Sequence, residues 1–182
     1  MFIDQNTRKI VNFIFVASLI LSLQACDSNH QIEKILTKAQ LEIDQAVKKS
    51  YHIWYVKKGA KPDFSNFEDY VTNSATFHSI EKNKISVRTF SEVSNSFVQS
   101  FETGDLISFD EREIGAETII MGDIAHRISY HIYRINSNDK ISHRGVNSIQ
   151  LVRINGVWKT QSVLRQLEGD NYSLPKKYDS FK

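Results

Sequence analysis

Residues 146–167 read Val146-Asn-Ser-Ile-Gln-Leu-Val-Arg-Ile154, Asn155-Gly156, Val157-Trp-Lys-Thr-Gln-Ser-Val-Leu-Arg-Gln-Leu167. Two β-type runs flank Asn-Gly, the strongest short hairpin signal, because both residues accept positive φ in a type I′ turn. Working outward, Ile124 to Ile135 alternates, and Ile107 to Ile120 is a further strand with Gly115 as its bulge or bend. Upstream the period changes. Ile32, Ile35, Leu36, Ala39, Ile43, Ala46, Val47 and Trp54 form one helical stripe, stopped by Gly59 and Pro62. Phe64, Phe67, Tyr70 and Val71 predict a short second helix, and Ala75 to Ile80 a short strand. Thr89 and Glu92 have capping-box spacing ahead of Phe90, Val93, Phe97 and Phe101, a third helix ending near Gly104. Helices first and a long meander afterwards is an α+β plan.

The run Arg144 to Arg153, then Asn155-Gly156-Val-Trp158-Lys, then Leu174-Pro175, resembles the nuclear transport factor 2-like superfamily, especially its bacterial SnoaL-like members. The resemblance implies a cone-shaped fold over residues 31–168, with about three N-terminal helices packed in a strongly curved antiparallel sheet. It also implies a cavity between the concave sheet face and the helices. The superfamily holds isomerases, cyclases and hydrolases beside binding domains, so the fold does not name a reaction. Many of its members dimerise through the sheet, which makes a homodimer through a face bearing Gln150, Gln161 and Arg165 an expectation here.

Hairpin parity proposes the cavity lining. A two-residue turn at Asn155-Gly156 pairs Arg153 with Trp158, Leu151 with Thr160, Ile149 with Ser162 and Asn147 with Leu164 on one face. An even loop near Ser137 to Lys140 adds His126, Ile128 and Tyr130; a one-residue slip reverses that assignment. Trp54, Phe67 and Phe77 close the space from the helix side. The expected pocket is therefore apolar, with His126, Tyr130, Asn147, Thr160 and Ser162 as its polar groups around Trp158, and it suits a small apolar ligand. Each of these residues also has an ordinary role as core or as a satisfied buried polar group.

Chemistry is weakly written. Family enzymes place an Asp or Glu, or an Asp–His pair, inside the cone. The only acid–base candidates read from the chain are His126 with Asp123, and Glu117 if it points inward. No phosphate loop or nucleophile motif occurs. His126, His131 and His143 alternate badly between faces, so no metal and no cofactor is expected. The reading leans toward a binding domain without catalysis. The alternative is a SnoaL-like isomerase, cyclase or hydrolase using His126 and a nearby carboxylate.

The N-terminus sets the expected location. Arg8 and Lys9 precede an apolar run from Ile10 to Leu23, which is short for a bilayer span. Leu23-Gln24-Ala25-Cys26 then resembles a bacterial lipobox. The resemblance implies removal of residues 1–25 as a signal peptide. It also implies diacylglyceryl and acyl (palmitate-type) chains on Cys26, a short tether over 26–30, and the cone domain over 31–168 with a tail at 169–182. Asp27 slightly favours the inner membrane. Cys26 is the only cysteine, so the domain holds neither disulfide nor thiolate metal site. A formal charge of +2 speaks against a nucleic-acid partner. The expected protein is a membrane-tethered envelope lipoprotein whose single domain binds a small apolar ligand or a protein partner.

Overall fold

The computed structural model describes residues 33–81, 84–136, 140–169 and 171–181. Leu23, Ala25 and Cys26, with the signal and tether assigned to them, lie outside the described residues. The chain forms two compact units, Met1–Ala39 and Gln40–Lys182. In the first, residues 33–39 are helical, and the Thr37 hydroxyl donates to the Glu33 carbonyl at 2.8 Å. Helix α1 (residues 33–52) contributes residues 40–52 to the second unit.

The second unit continues with a single 3-10 turn at Phe67–Asp69, then β1 (Val71–Glu81), β2 (Lys84–Thr89), α2 (Phe90–Glu102), β3 (Phe109–Met121), β4 (Ile124–Ile135), β5 (His143–Ile154) and β6 (Val157–Leu167). A 3-10 turn at Lys176–Phe181 ends it. The six strands form one sheet in the order β2-β1-β6-β5-β4-β3. All neighbours are antiparallel except β1 and β6, which run parallel. The sheet is therefore mixed, not antiparallel as the meander suggested; β1 reaches β6 through the length of chain between them. The second helix expected after Pro62 is only the 3-10 turn, because Val71 onward is drawn into β1.

Local signals read from the chain hold where they are short-range. The Thr89 hydroxyl accepts from the Glu92 N–H, and the Glu92 carboxylate accepts from the Thr89 N–H, completing the capping box of α2. Asn155 and Gly156 have φ of 51° and 80°, as a type I′ turn requires.

Two apolar clusters fill the concave side. Ile43, Ala46, Val47 and Tyr51 of α1 pack on Ala125, Ile149, Leu151, Trp158 and Val163. Val71, Ala75 and Phe90 form the other, ringed by Trp54, Phe64, Phe67 and Phe77. A third cluster lies on the opposite face, where Leu174 and Tyr178 of the tail cover Tyr130. The tail is thus docked rather than solvated.

Candidate functional site

Two bulges decide which side chains face inward. On β6, Thr160 pairs with Leu151 but Ser162 pairs with Gln150, so Gln161 is an extra residue. β1 holds it there: the Thr72 hydroxyl donates to Gln161 Oε1 at 2.8 Å. Past Gln161 the faces exchange. Val163 and Arg165 turn inward, opposite Ile149 and Asn147, while Ser162 and Leu164 turn outward. On β3 the ladder shifts between Glu113 and Gly115. Glu111 and Glu113 face inward before the shift, Ala116 and Thr118 after it, and Glu117 is turned out. On β4 the partners of Asn147 and Ile149 are Ser129 and Arg127, so Ala125, Arg127, Ser129 and His131 face inward.

The result is a polar core beside α1. The Arg127 guanidinium grips Glu113 through both its Nε, at 2.9 Å, and its Nη2, at 2.5 Å. Its Nη1 donates to Asp44 at 2.7 Å and to Thr118 at 2.8 Å. Burial opposes the charge on Arg127, but Glu113 and Asp44 outweigh it and raise its pKa. The Ser129 hydroxyl donates to Glu113 at 2.5 Å. Its single proton is then committed, so the Tyr51 hydroxyl, 2.7 Å away, is the donor to Ser129. Asn147 Nδ2 donates in turn to Tyr51 at 3.0 Å. Burial first, and the Glu111 charge second, push the Tyr51 pKa up, keeping the phenol protonated.

Glu111 is placed differently. Its buried carboxylate meets Arg165 Nη2 at 3.3 Å and 3.5 Å. His131 Nε2 stands 3.6 Å away, too far for a hydrogen bond. Neither His131 ring nitrogen has a hydrogen-bond partner among the described residues. Burial lowers the His131 pKa, Glu111 partly offsets this, and Arg165 reinforces it, so the imidazole is neutral at pH 7. Gly145 makes room for that ring: a Cβ there would lie 3.0 Å from His131 Cε1 and 2.6 Å from the Gln166 carbonyl.

This core floors an open cleft of about 1320 Å³ between α1 and β3, one of the sheet's two edge strands. Asp44, Tyr51, Glu111, Glu113 and Arg127 form its floor, and Lys48, His52 and Arg112 its rim. The acceptors of Glu113 are spent on three donors. Glu111 retains acceptor capacity at the cleft, since its Arg165 contacts are long.

Solved structures superpose on this fold at low sequence identity. A protein from Novosphingobium aromaticivorans, described as NTF2-like with a cystatin-like fold, superposes with a TM-score of 0.58 at 10% identity, over 79% of this chain and 91% of its own. An NTF2-like protein of unknown function from Pseudomonas putida gives 0.54 at 11% identity, over 74% and 89%. A protein of unknown function with a cystatin-like fold from Nostoc punctiforme gives 0.52 at 15% identity, over 72% and 92%. The fold is the nuclear transport factor 2-like cone. By sequence, no family profile and no curated protein matches the chain significantly.

Within this nuclear transport factor 2-like fold, the residues proposed for the pocket are dispersed. His126 and Tyr130 lie on the face away from α1. His126 Nε2 is 2.9 Å from the Ser148 hydroxyl, and the Tyr130 ring packs at a tilt of 36° against Tyr178, centroids 4.7 Å apart. The β4–β5 register is the slipped one, so this grouping is reversed. Ser162 is outward through the Gln161 bulge and donates to Gln150 at 3.0 Å. Trp158 and Thr160 do face inward, but α1 covers them; Thr160 meets Ser50 at 3.3 Å. Trp54, Phe67 and Phe77 are packed among Phe64, Phe90 and Phe97 and do not line the cleft between α1 and β3. Asn147 joins the polar core. Asp123 pairs with Arg153 at 2.6 Å, away from His126, and Glu117 reaches Lys177 at 3.6 Å on the outer face. Arg165, expected on an open dimer face, is inside against Glu111. Glu111, Glu113, Arg127 and His131 are what the parity argument missed. Glu111 and Glu113 alternate on β3, and Arg127, Ser129 and His131 on β4, but which face they occupy depends on the β4–β5 register and the β3 shift, which the chain does not disclose locally.

Proposed function

We propose that this chain is a lipid-anchored envelope protein whose cone domain binds a small polar molecule in the cleft between α1 and β3. The observation that carries the reading is Glu111. A buried carboxylate at the base of an open cleft, with lone pairs not taken up by its neighbours, suits a ligand bearing an N–H or O–H donor. The surrounding Arg127–Glu113–Asp44 network is internally compensated and acts as a fixed floor. The lipobox at Leu23 to Cys26 supports the anchor, and the described residues include no helix long and apolar enough to cross a membrane. Native mass spectrometry of the protein drawn from its own envelope tests the binding reading. A retained small molecule, lost in Glu111→Gln, is expected; an unliganded mass in both defeats it.

The Glu111–His131 pair favours a second reading, acid–base catalysis. A carboxylate backed by a neutral histidine has the components of a general base, with His131 rather than His126 as the partner. Under this reading Glu111→Gln abolishes turnover of the retained molecule while its affinity stays within about tenfold, a ratio worth about 1.4 kcal/mol. Equal loss of both leaves binding alone.

A further inference from the structure

Two hairpin tips lie side by side at one end of the sheet. Gly122-Asp123 joins β3 to β4, and Asn155-Gly156 joins β5 to β6. The Arg153 N–H donates to the Asp123 carbonyl at 2.8 Å, and the Arg153 guanidinium pairs with the Asp123 carboxylate at 2.6 Å. Around this lacing, Ile119, Met121, Ile124, Ile154 and Val157 are 46% to 63% exposed. The ladder places all five on the face away from α1, since Trp158 and Ala125 alternate with them on the buried face. The docked tail does not cover them; it lies over Tyr130. Single exposed aliphatics are ordinary, but five around two adjoining tips make a patch that wants a partner. The charges of the two tips, Asp123 and Arg153, neutralise one another, and the neighbouring Lys159 ammonium is turned to the Glu68 carbonyl.

The sequence indicates which medium. The chain reaches this unit at Gln40, whose Nε2 donates to the Thr118 hydroxyl at 3.4 Å, three residues before Met121. From Cys26 to residue 33 an extended chain spans at most about 25 Å, and helical rise adds about 10 Å to Gln40. A lipid on Cys26 would therefore hold Gln40 within about 35 Å of the bilayer, and the Met121 end of β3 lies only three strand residues, about 10 Å, beyond its Thr118 contact. We infer that the paired hairpin tips are a second, apolar contact with the lipid surface, orienting the domain on its membrane. This rests on the lipid-anchor reading given above.

The test uses the full chain, matured in a bacterial envelope and reconstituted in phosphatidylethanolamine–phosphatidylglycerol vesicles carrying brominated acyl chains. Met121→Cys and Ile154→Cys each receive a thiol-reactive fluorophore, with Lys58→Cys, beyond the far end of β3, as the reference. Both substituted positions are exposed, so the fold tolerates them. Incorporation of a clickable fatty acid, abolished by Cys26→Ser, reads the anchor separately. Loss of most fluorescence at residues 121 and 154, with none at 58, is the expected result. Acylated protein with all three sites unquenched overturns the inference and leaves the anchor standing. Acylated protein that instead crosslinks to a second copy through residue 121 assigns the patch to self-association and also overturns it. Absence of fatty acid defeats the anchor itself, and the inference with it.

Discussion

Arg127 and Glu113 show how a cone interior carries charge. The Arg127 side chain is almost fully buried, yet each of its donors that faces a carboxylate is used, and the pair is bidentate. Such a pair adds little net stability when intact but is costly to break, because the survivor is left charged and dry. Glu113→Gln should cost about 3 kcal/mol in chemical denaturation. Asp44→Asn, whose carboxylate is far more exposed, should cost under about 1 kcal/mol. Equal effects would mean that the network does not centre on Glu113. His131 makes a pH prediction. Its folded pKa is depressed below the ordinary 6.5 by burial. On acidification the unfolded chain therefore takes up a proton near 6.5, and the folded chain only at lower pH. Between those two values the unfolded state binds more protons, so stability falls as pH drops below about 6.5 and levels off once the folded ring is protonated. His131→Asn should flatten that stretch of the stability–pH curve, read by denaturant midpoints across it.

At the scale of elements, the bulges do most of the work. Gly115 follows the β3 shift and lies beneath Tyr178; a Cβ added there would sit 2.7 Å from Tyr178 Cε1. Gly115→Ala should loosen the tail at a cost of about 1–3 kcal/mol, typical of overpacking. In a Tyr178→Ala background the same change should be nearly silent, because the clashing ring is gone. A double-mutant cycle showing additive costs would remove Tyr178 from the account. The same elements show what a chain discloses. The α2 capping box, the Asn155-Gly156 turn and the Gly115 irregularity each depend on residues a few positions apart, and all three were legible. The Gln161 bulge was not, since it is fixed by Thr72 from a distant strand. One inserted residue moved Ser162 out and Arg165 in. The parallel pairing of β1 with β6 and the short, largely exposed edge strand β2 are likewise products of tertiary context rather than local pattern. Hence β3 to β6 and part of β1 were readable, while β2 and the lining of the cleft were not.

For the whole molecule, the separation of its apolar clusters carries the final consequence. The clusters around Trp158 and around Phe90 both lie on the concave side, and Phe77 packs against each. The cluster of Tyr130, Leu174 and Tyr178 shares no residue with either and lies across the sheet. Loss of packing on the concave side should therefore be global, while loss on the tail side should stay local. Trp158→Ala removes a fully buried indole against which α1 packs, and should lower global stability by about 3–5 kcal/mol. Tyr178→Ala should instead strip protection from amides 171–181 in hydrogen exchange. The most protected amides of β4 and β5 should change by less than about 1 kcal/mol, since they exchange by global opening. Besides the Tyr178 ring contacts and the Lys177–Glu117 pair, the tail is linked to β5: buried Arg144 pairs with Glu168 at 3.2 Å and with Asp179 at 4.0 Å, and the Glu168 carboxylate accepts from the Leu174 N–H at 2.9 Å. If that link couples the two, Tyr178→Ala would depress the β4 and β5 amides as much as those of the tail. The independent-cluster account would then give way to a single cooperative fold in which the tail is a structural member.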